Sequence, residues 1–541
     1  MASVSIDRNG RYVGQSAQDV RPVELSTSRK FLIFGVLAFG QFMALIDIQI
    51  VAASLNDIQA GLSAGPDEIS WVQTAYLMAE LVMIPFSAFL AGSLSTRWLF
   101  SLSAGLFTVS SIACGFAWNI ESMIVFRAVQ GFVGGAMVPT AFSVGFTLFE
   151  GKQRAMIPAI LGIVSVLAPT LGPTVGGIIT QAIDWRWIFF INVLPGIVIT
   201  TLAVSLIRVD RPNLSLLGKI DWVHLAAMAV ALACLQYVLE EGPRKDWFGD
   251  PHIQIAAWCS LVGFVLFFER SFASHNPIVR LTPFARPTFA FSCVFNLVVG
   301  FGLYASTYLV PVYLGRVRGY DSLQIGTTVF IVGLGQIVGT IISARLSQTV
   351  DRRILLAIGL TGFSFSLWLA SHLNAQWGFW ELALPQVVRG LSIMFCIVPT
   401  VGMALGSFQG PELRNASGLF SLMRNLGGAI GIATVNTWLG DAARIQAARF
   451  GEAMASGGRV AEETLAALAA RMSSVTPDPD HALSLAQAVF GRFVGREALV
   501  VGFGEVFRTM SWMFVIALVM VPFCDGRPEG ATEAAPSPDT H

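Results

Sequence analysis

Fourteen apolar runs, each about 20 residues long, dominate this chain and leave it few ways to fold. They start near Phe31, Ile69, Leu99, Glu121, Met156, Trp187, Ile220, Pro251, Thr288, Ser322, Ile354, Phe379, Arg414 and Phe507. A helix of about 20 residues covers the roughly 30 Å of bilayer hydrocarbon. In lipid every backbone N–H and C=O must be satisfied internally, which leaves helices as the spanning element for such runs. The expectation is an all-α polytopic membrane protein with 14 transmembrane helices. Composition points the same way, since 54% hydrophobic against 13% charged residues is too apolar for a soluble domain. A formal net charge of zero argues against a nucleic-acid partner. Cys114, Cys234, Cys259, Cys293, Cys396 and Cys524 all lie in or beside apolar runs; they read as small packing residues, with neither disulfide nor metal-ligand spacing. The first thirty or so residues are polar and basic, and the run that follows lacks a small-residue cleavage site. That pattern reads as an uncleaved first span.

Lys and Arg counts set the expected orientation. With residues 1–30 inside, the inner loops and tails carry roughly nineteen basic residues and the short outer loops roughly five, as the positive-inside rule requires. Arg29, Lys30, Lys152, Arg154, Arg208, Arg211, Lys219, Arg345, Arg352 and Arg353 belong to the inner set. Both termini are then cytoplasmic, at residues 1–30 and 525–541.

One run breaks the rules of soluble helices. Leu167–Gly177 holds Pro169, Gly172, Pro173, Gly176 and Gly177 within eleven residues, a load that no water-exposed helix interior tolerates. A membrane helix tolerates it, because neighbours take up the freed backbone groups and small residues let helices approach closely. Two stretches interrupt the rhythm of spans. Arg208–Lys219 is a polar linker before the seventh. Asp441–Glu505 is alanine-rich and amphipathic, with a Pro/Asp turn at Ser474–Asp480; it reads as two helices forming an extracytoplasmic hairpin that lies on the membrane surface or docks a partner.

A weak internal repeat divides the chain. Arg127–Gly131 reads RAVQG in the fourth run and is followed by Pro139; Gln386–Gly390 reads QVVRG in the twelfth and is followed by Pro399. The glycine-proline segment of the fifth run has a counterpart in Asn425–Gly431, NLGGAIG, of the thirteenth. The expected organisation is a six-helix bundle at 31–207, a linker with two inserted helices at 208–287, and a second six-helix bundle at 288–524 containing the 441–505 hairpin. Paired repeats around a midplane site are how many secondary transporters are built.

Ionisable residues inside spans are costly and mark function by default. Here they are Asp47, Glu80, Arg127, Arg389 and Arg424. At about 1.5 Å per residue, Asp47 lies roughly 24 Å from the inner face along the first span and Arg127 roughly 9 Å from the outer face along the fourth. These depths nearly coincide and allow an ion pair, which either pins two helices or opens when Asp47 takes up a proton. Glu80 lies near the midplane with no basic residue close in sequence, a setting that favours a protonated carboxyl. Arg389 aligns with Gln130 and not with Arg127, whose counterpart is Gln386. Substrate contact, coupling and simple hydrogen bonding to carbonyls all stand open for Arg389 and Arg424. There is no phosphate-binding glycine-lysine loop, no HExxH and no clustered histidine set: His224, His252, His275, His372, His481 and His541 are scattered and read as surface residues. No cofactor or metal is implied.

Several stretches together resemble the major facilitator superfamily, specifically its fourteen-helix drug:proton antiporters of the EmrB/QacA type. They are Ala44–Leu55, Ile124–Pro139, Ala168–Gly177, Trp185–Gly196, Lys219–Trp222 and His275–Leu281. The resemblance runs from about residue 31 to 524. It implies an inner-membrane exporter of small amphipathic compounds in exchange for protons by alternating access, with Asp47 and Arg127 in proton coupling; Glu80, which the family pattern does not demand, joins them on its own position inside the second span of this chain. Arg127, Gln130 and Gly131 would form the helix-four motif, and Pro169, Gly172, Pro173, Gly176 and Gly177 the exporter motif. In a host with two membranes it implies a periplasmic adaptor and an outer-membrane channel. Export of one defined metabolite, lipid or siderophore is the alternative on the same scaffold. One departure stands out. Gly92–Phe100 has Thr96 where the family's loop after helix two carries an acid, so the latch between the halves attributed to that loop lacks its carboxylate. The second-half counterpart, Ala344–Arg353, keeps its charges.

Overall fold

The computed structural model describes residues 5–6, 12–13, 26–65, 68–274, 277–455, 459–474, 476 and 478–523. Among the described residues, fourteen helices are long and apolar enough to cross a membrane. In chain order they are α1 (Thr27–Ala53), α2 (Trp71–Leu94), α3 (Thr96–Gly115), α4 (Ile120–Leu148), α5 (Met156–Ala182), α6 (Trp187–Leu206) and α7 (Trp222–Glu241). After α8 (Pro251–Ala273) come α9 (Pro287–Arg316), α10 (Ser322–Leu346), α11 (Arg352–Ala370), α12 (Phe379–Leu405), α13 (Gly410–Ala455) and α14 (Pro479–Leu518).

Local chemistry explains the helix starts. Asn119 caps α4, and Asp221, Asp250, Asp321, Asp351 and Asp478 cap α7, α8, α10, α11 and α14, each side chain accepting a hydrogen bond from a backbone N–H of the first turn. Most loop aspartates are therefore structural. The bond from His224 N–H holds the Asp221 carboxyl below the usual aspartate range. Pro85, Pro169, Pro173, Pro311, Pro385 and Pro399 all lie inside helices, as a membrane interior permits.

Helix pairing follows a repeat of eight. The pairs α1–α5, α2–α4, α3–α4 and α3–α6 recur as α9–α13, α10–α12, α11–α12 and α11–α14. The halves meet at two equivalent seams, α5 against α10 and α13 against α2. The inserted helices α7 and α8 pack on each other, and α7 also lies against α2 and α13. It thus covers one of the two seams.

The 441–505 segment differs from the expected separate hairpin. Helix α13 continues unbroken for 46 residues, about 69 Å at 1.5 Å per residue. A short helix follows at Arg459–Met472, and α14 begins at Pro479, 40 residues long. Alanine-rich sequence with no proline between Glu412 and Thr476 lets helix propensity carry the spanning helix onward after its hydropathy falls. His224 also departs from expectation. It is fully buried, its Nδ1 accepting from Ile278 N at 3.1 Å and its Nε2 lying 3.1 Å from Ser271 Oγ. It ties the segment after α8 to the start of α7. His275, His541 and Cys524 lie outside the described residues, as do the terminal tails apart from residues 5–6, 12–13 and 26–30.

Candidate functional site

Five helices of the first half bring their polar side chains to one point. Asp47 from α1 and Arg127 from α4 form an ion pair, Arg127 Nη1 to Asp47 Oδ2, at 2.6 Å, with both side chains fully buried. Gln130, one turn along α4, accepts from Arg127 Nη1 at 2.8 Å and donates to Asp47 Oδ1 at 3.2 Å. Asn192 at the start of α6 donates to the same Oδ1 at 2.7 Å and lies 3.1 Å from Ser111 Oγ of α3. Arg127 Nε donates to Val72 O of α2 at 3.2 Å, and its guanidinium carbon sits 4.2 Å from the Tyr76 ring centroid. Among the described residues Arg127 Nη2 and Tyr76 Oη have no hydrogen-bond partner. A buried pair repays its desolvation only when further hydrogen bonds satisfy it. Here Asp47 has three donors, and the incompletely satisfied side is the arginine.

The 3.6-residue repeat puts Glu80 one turn beyond Tyr76 on the same face of α2. It is 5% exposed and lines a cavity of about 90 Å³ between the halves. Gln49 and Gln73 share its wall from the first half, Tyr304 and Asn425 from the second, and Gln236 and Glu240 from α7. Among the described residues Glu80 accepts no hydrogen bond. Its strongest electrostatic partners are Arg127 and then Arg424 of α13. The counter-charge absent from its sequence neighbourhood therefore comes from α4 of its own half and, across the seam, from α13.

The two second-half arginines separate. Arg389 Nη1 donates to the Ser306 carbonyl at 2.7 Å, so it bonds α12 to α9. Arg424 is 3% exposed, its Nε and Nη1 lack hydrogen-bond partners among the described residues, and its guanidinium carbon lies 5.7 Å from the Phe142 ring centroid of α4. It is the buried cation facing the seam.

The glycine-proline helix α5 stands between α1 and α10. A Cβ added at Gly172 would overlap Gln49 Cβ, and one at Gly176 would stand 3.0 Å from Ile50 O and 3.1 Å from Ser54 Oγ. On its other side Thr174 fills the space over Gly326 of α10. Pro169 is buried, Pro173 partly so, and Gly177 is buried and accepts from Thr180 Oγ1 at 3.3 Å. Gly131 lets α4 touch the Tyr76 backbone of α2 in the same way.

At the face bearing Arg154, Arg208 and Arg352, here called the basic face, the missing loop carboxylate has a replacement. Ser95 has φ 76° and no capping side-chain bond. Asp210, from the linker after α6, accepts from Thr96 N at 2.9 and 3.1 Å and from Thr96 Oγ1 at 2.9 Å. The same carboxylate pairs with Arg414 of α13 at 3.5 Å. In the second half Asp351 performs the equivalent capping of α11, accepting from Arg353 N at 2.8 Å. Sequence reasoning passed over Asn192, Ser111, Asp210 and Glu240. The available signals were a lone asparagine in an apolar run for Asn192 and a carboxylate near a span end for Glu240.

Two pseudo-equivalent six-helix bundles around a buried ion pair and a central carboxyl define a membrane transporter of the alternating-access class. The profile of the Major Facilitator Superfamily matches residues 37–432. The colistin resistance protein EmrB of Acinetobacter baumannii is 37% identical over 493 residues, covering 91% of this chain and 96% of that protein. The multidrug export protein EmrB of Haemophilus influenzae is 30% identical, covering 77% of this chain and 82% of its own length. The chain belongs to the major facilitator superfamily, in its EmrB/QacA-type efflux branch. Among solved structures, the human organic anion transporter MFSD10 superposes with a TM-score of 0.56 at 12% identity, covering 91% of this chain and 99% of that one. The proton:xylose symporter XylE superposes with a TM-score of 0.54 at 14% identity, covering 92% and 96%. At those identities the likeness concerns the fold.

Proposed function

We propose that this protein exports small amphipathic compounds across the inner membrane in exchange for protons, with the basic face cytoplasmic. The observation that carries the reading is the fully buried Asp47–Arg127 pair beside a cavity that holds Glu80 between the halves. Protonation of Asp47 removes the charge that holds Arg127 and slackens a network joining α1, α2, α3, α4 and α6. Glu80 faces the seam and exchanges its proton as the cavity opens to one side or the other. Helices α1–α6 and α9–α14 act as the two rocking units, and α5, packed by its glycines on α1 and α10, is the sliding element between them. The relatives named for colistin resistance and multidrug export support this substrate class. In a two-membrane host the extended ends of α13 and α14 would meet a periplasmic adaptor that leads to an outer-membrane channel.

The test is transport by reconstituted protein. Asp47→Asn and Glu80→Gln should lose proton-driven accumulation of a probe while keeping downhill exchange. Uphill transport at the parental rate in both variants, with an unshifted pH optimum, refutes the coupling assignment.

A second reading, export of one lipid-like solute, has an observation in its favour. An apolar recess of about 990 Å³ lies between α7, α8 and α13, lined by Phe264, Phe267, Phe268 and Leu422, with Arg280 the one charged residue among the described residues of its lining. A relative from Neisseria gonorrhoeae, 26% identical over 90% of this chain, is named a fatty acid resistance protein. Competition among unrelated substrates in vesicles separates the two readings.

A further inference from the structure

The two six-helix halves do not by themselves complete the wall of the central cavity; α7 does. The end of α7 distant from the basic face is fixed in place. Trp71 of α2 stacks on Tyr237 at 5.3 Å between ring centroids, and Thr74 Oγ1 lies 3.4 Å from Glu241 Oε1. Trp247 Nε1, in the loop that follows, donates to Thr437 of α13 at 3.0 Å. With the helix held on both sides of the seam, Gln236 and Glu240 face the cavity, while the neighbouring Glu241 turns to α2 and is 1% exposed.

Among the described residues the cavity lining contains two carboxylates, Glu80 and Glu240, and no lysine or arginine. The cations of the loop after α7 are directed elsewhere, Arg244 to Glu241 at 3.8 Å and Lys245 Nζ to Tyr237 Oη at 3.1 Å. Around Glu240 itself stand Gln236, whose Nε2 is 3.5 Å away, and further off Glu241 and Tyr308. Glu80, more than nine-tenths buried and without a hydrogen-bond donor, opens into the same space. Tyr304 adds an aromatic ring. A chamber that is largely apolar and has both carboxylates and an aromatic ring in its wall suits a lipophilic cation, through charge and through the negative face of the ring.

We propose that Glu240, carried by the inserted helix, is a substrate-recognition residue that gives the central cavity a preference for cationic amphiphiles. This rests on the transport reading above and names the substrate class of the same chamber. Glu80 stands near the Arg127 and Arg424 charges and is left for the proton, whereas Glu240 has no arginine or lysine at hand and is left for the substrate.

The test uses full-length protein in detergent without a gradient, and two probes of matched size and hydrophobicity: a permanently charged quaternary ammonium dye and its uncharged isostere. The unaltered protein should bind the cation about tenfold or more tightly than the isostere. Glu240→Gln should weaken cation binding by about tenfold and leave the isostere within about twofold, whereas Glu240→Asp, which keeps the charge, should retain the preference. Equal affinities in the unaltered protein overturn the proposal, a measurement that does not depend on any variant folding. So does a Glu240→Gln variant that melts normally and loses both probes equally, or neither. Unaltered protein that binds the cation selectively but fails to move it on a proton gradient sinks the transport reading and leaves Glu240 assigned to binding.

Discussion

Asp210 performs two tasks that a pair of substitutions can separate. Its contacts with Thr96 N and Oγ1 cap α3, and they join a linker to the half from which that linker emerges. Its pairing with Arg414 joins that half to α13 of the other. Only the second contact changes when the halves part at the basic face. Asp210→Asn keeps an acceptor suited to an N-cap and removes the charge that pairs with Arg414. The two side chains are 20% and 23% exposed and 3.5 Å apart; after screening and side-chain entropy such a pair is worth about 1 kcal/mol. That corresponds to roughly a fivefold shift toward the conformer in which the halves have parted. Asp210→Ala removes the cap as well, a further cost of about 1 kcal/mol that falls on both conformers alike. It should lower the melting temperature further without moving the conformer ratio further.

The assay is a distance distribution by double electron–electron resonance, with one spin label on each half at the basic face, run beside a melting curve. Arg414→Gln should shift the distribution as far as Asp210→Asn, and the double variant no further than either alone. High salt should shrink the effect, since the pair is partly exposed. Unchanged distances in Asp210→Asn and Arg414→Gln, or a shift in Asp210→Ala about twice as large in free energy, would refute this division of labour.

Removing one member of the buried network should cost far more than removing the pair. Arg127→Leu leaves Asp47 buried without its cation and should destabilise by about 3–5 kcal/mol, whereas Asp47→Asn with Arg127→Gln should melt closer to the parent. Gly172→Val and Gly176→Val should insert normally and transport poorly because α5 can no longer close on α1. Gly176→Ala, whose nearest neighbour lies at 3.0 Å, should retain more activity than Gly172→Ala, and full transport by both valine variants defeats the packing argument. Shortening the extension at 441–505 should abolish resistance in cells while sparing transport in vesicles. Loss in both assays would assign the extension to folding.

What could be read in advance depended on the range of the interaction. Span number and starting positions follow from runs of apolar residues, a local property, and matching depth along two helices allows the ion pair of Asp47 with Arg127 without requiring it. Depth fixes one coordinate of a spanning residue and leaves its azimuth open. Asn192 reaches Asp47 across 145 positions and Asp210 reaches Thr96 across 114, and no periodicity reports which way those side chains point. Glu240 is the penultimate residue of its helix, where a carboxylate ordinarily faces water; the docking of α7 on α2 and α13 turns it inward. His224 was hidden for a similar reason, because the chain after α8 folds back over it. The long α13 was obscured because hydropathy and helix propensity part company near Asp441, and hydropathy marks only where the lipid ends.

The repeat of eight in helix pairing makes the charge pattern more informative than either half alone. Helices α4 and α12 are equivalent, yet Arg127 meets a carboxylate while Arg389 meets only the Ser306 carbonyl. Helices α2 and α10 are equivalent, yet α2 carries Glu80 and α10 has no acid. The second half thus keeps buried cations and has given up the carboxylates that would titrate against them. In the proposed coupling the proton-carrying group lies in the first half, and its state reaches the second through a charge that faces the seam. Arg424 is the buried second-half cation in that position, on the helix that packs against α2. A protonated Glu80 no longer attracts it and an ionised one does. Under the coupling proposed above, the α2–α13 seam tightens or loosens with the proton, while the equivalent α5–α10 seam, built of glycines and threonines, slides without a change of charge.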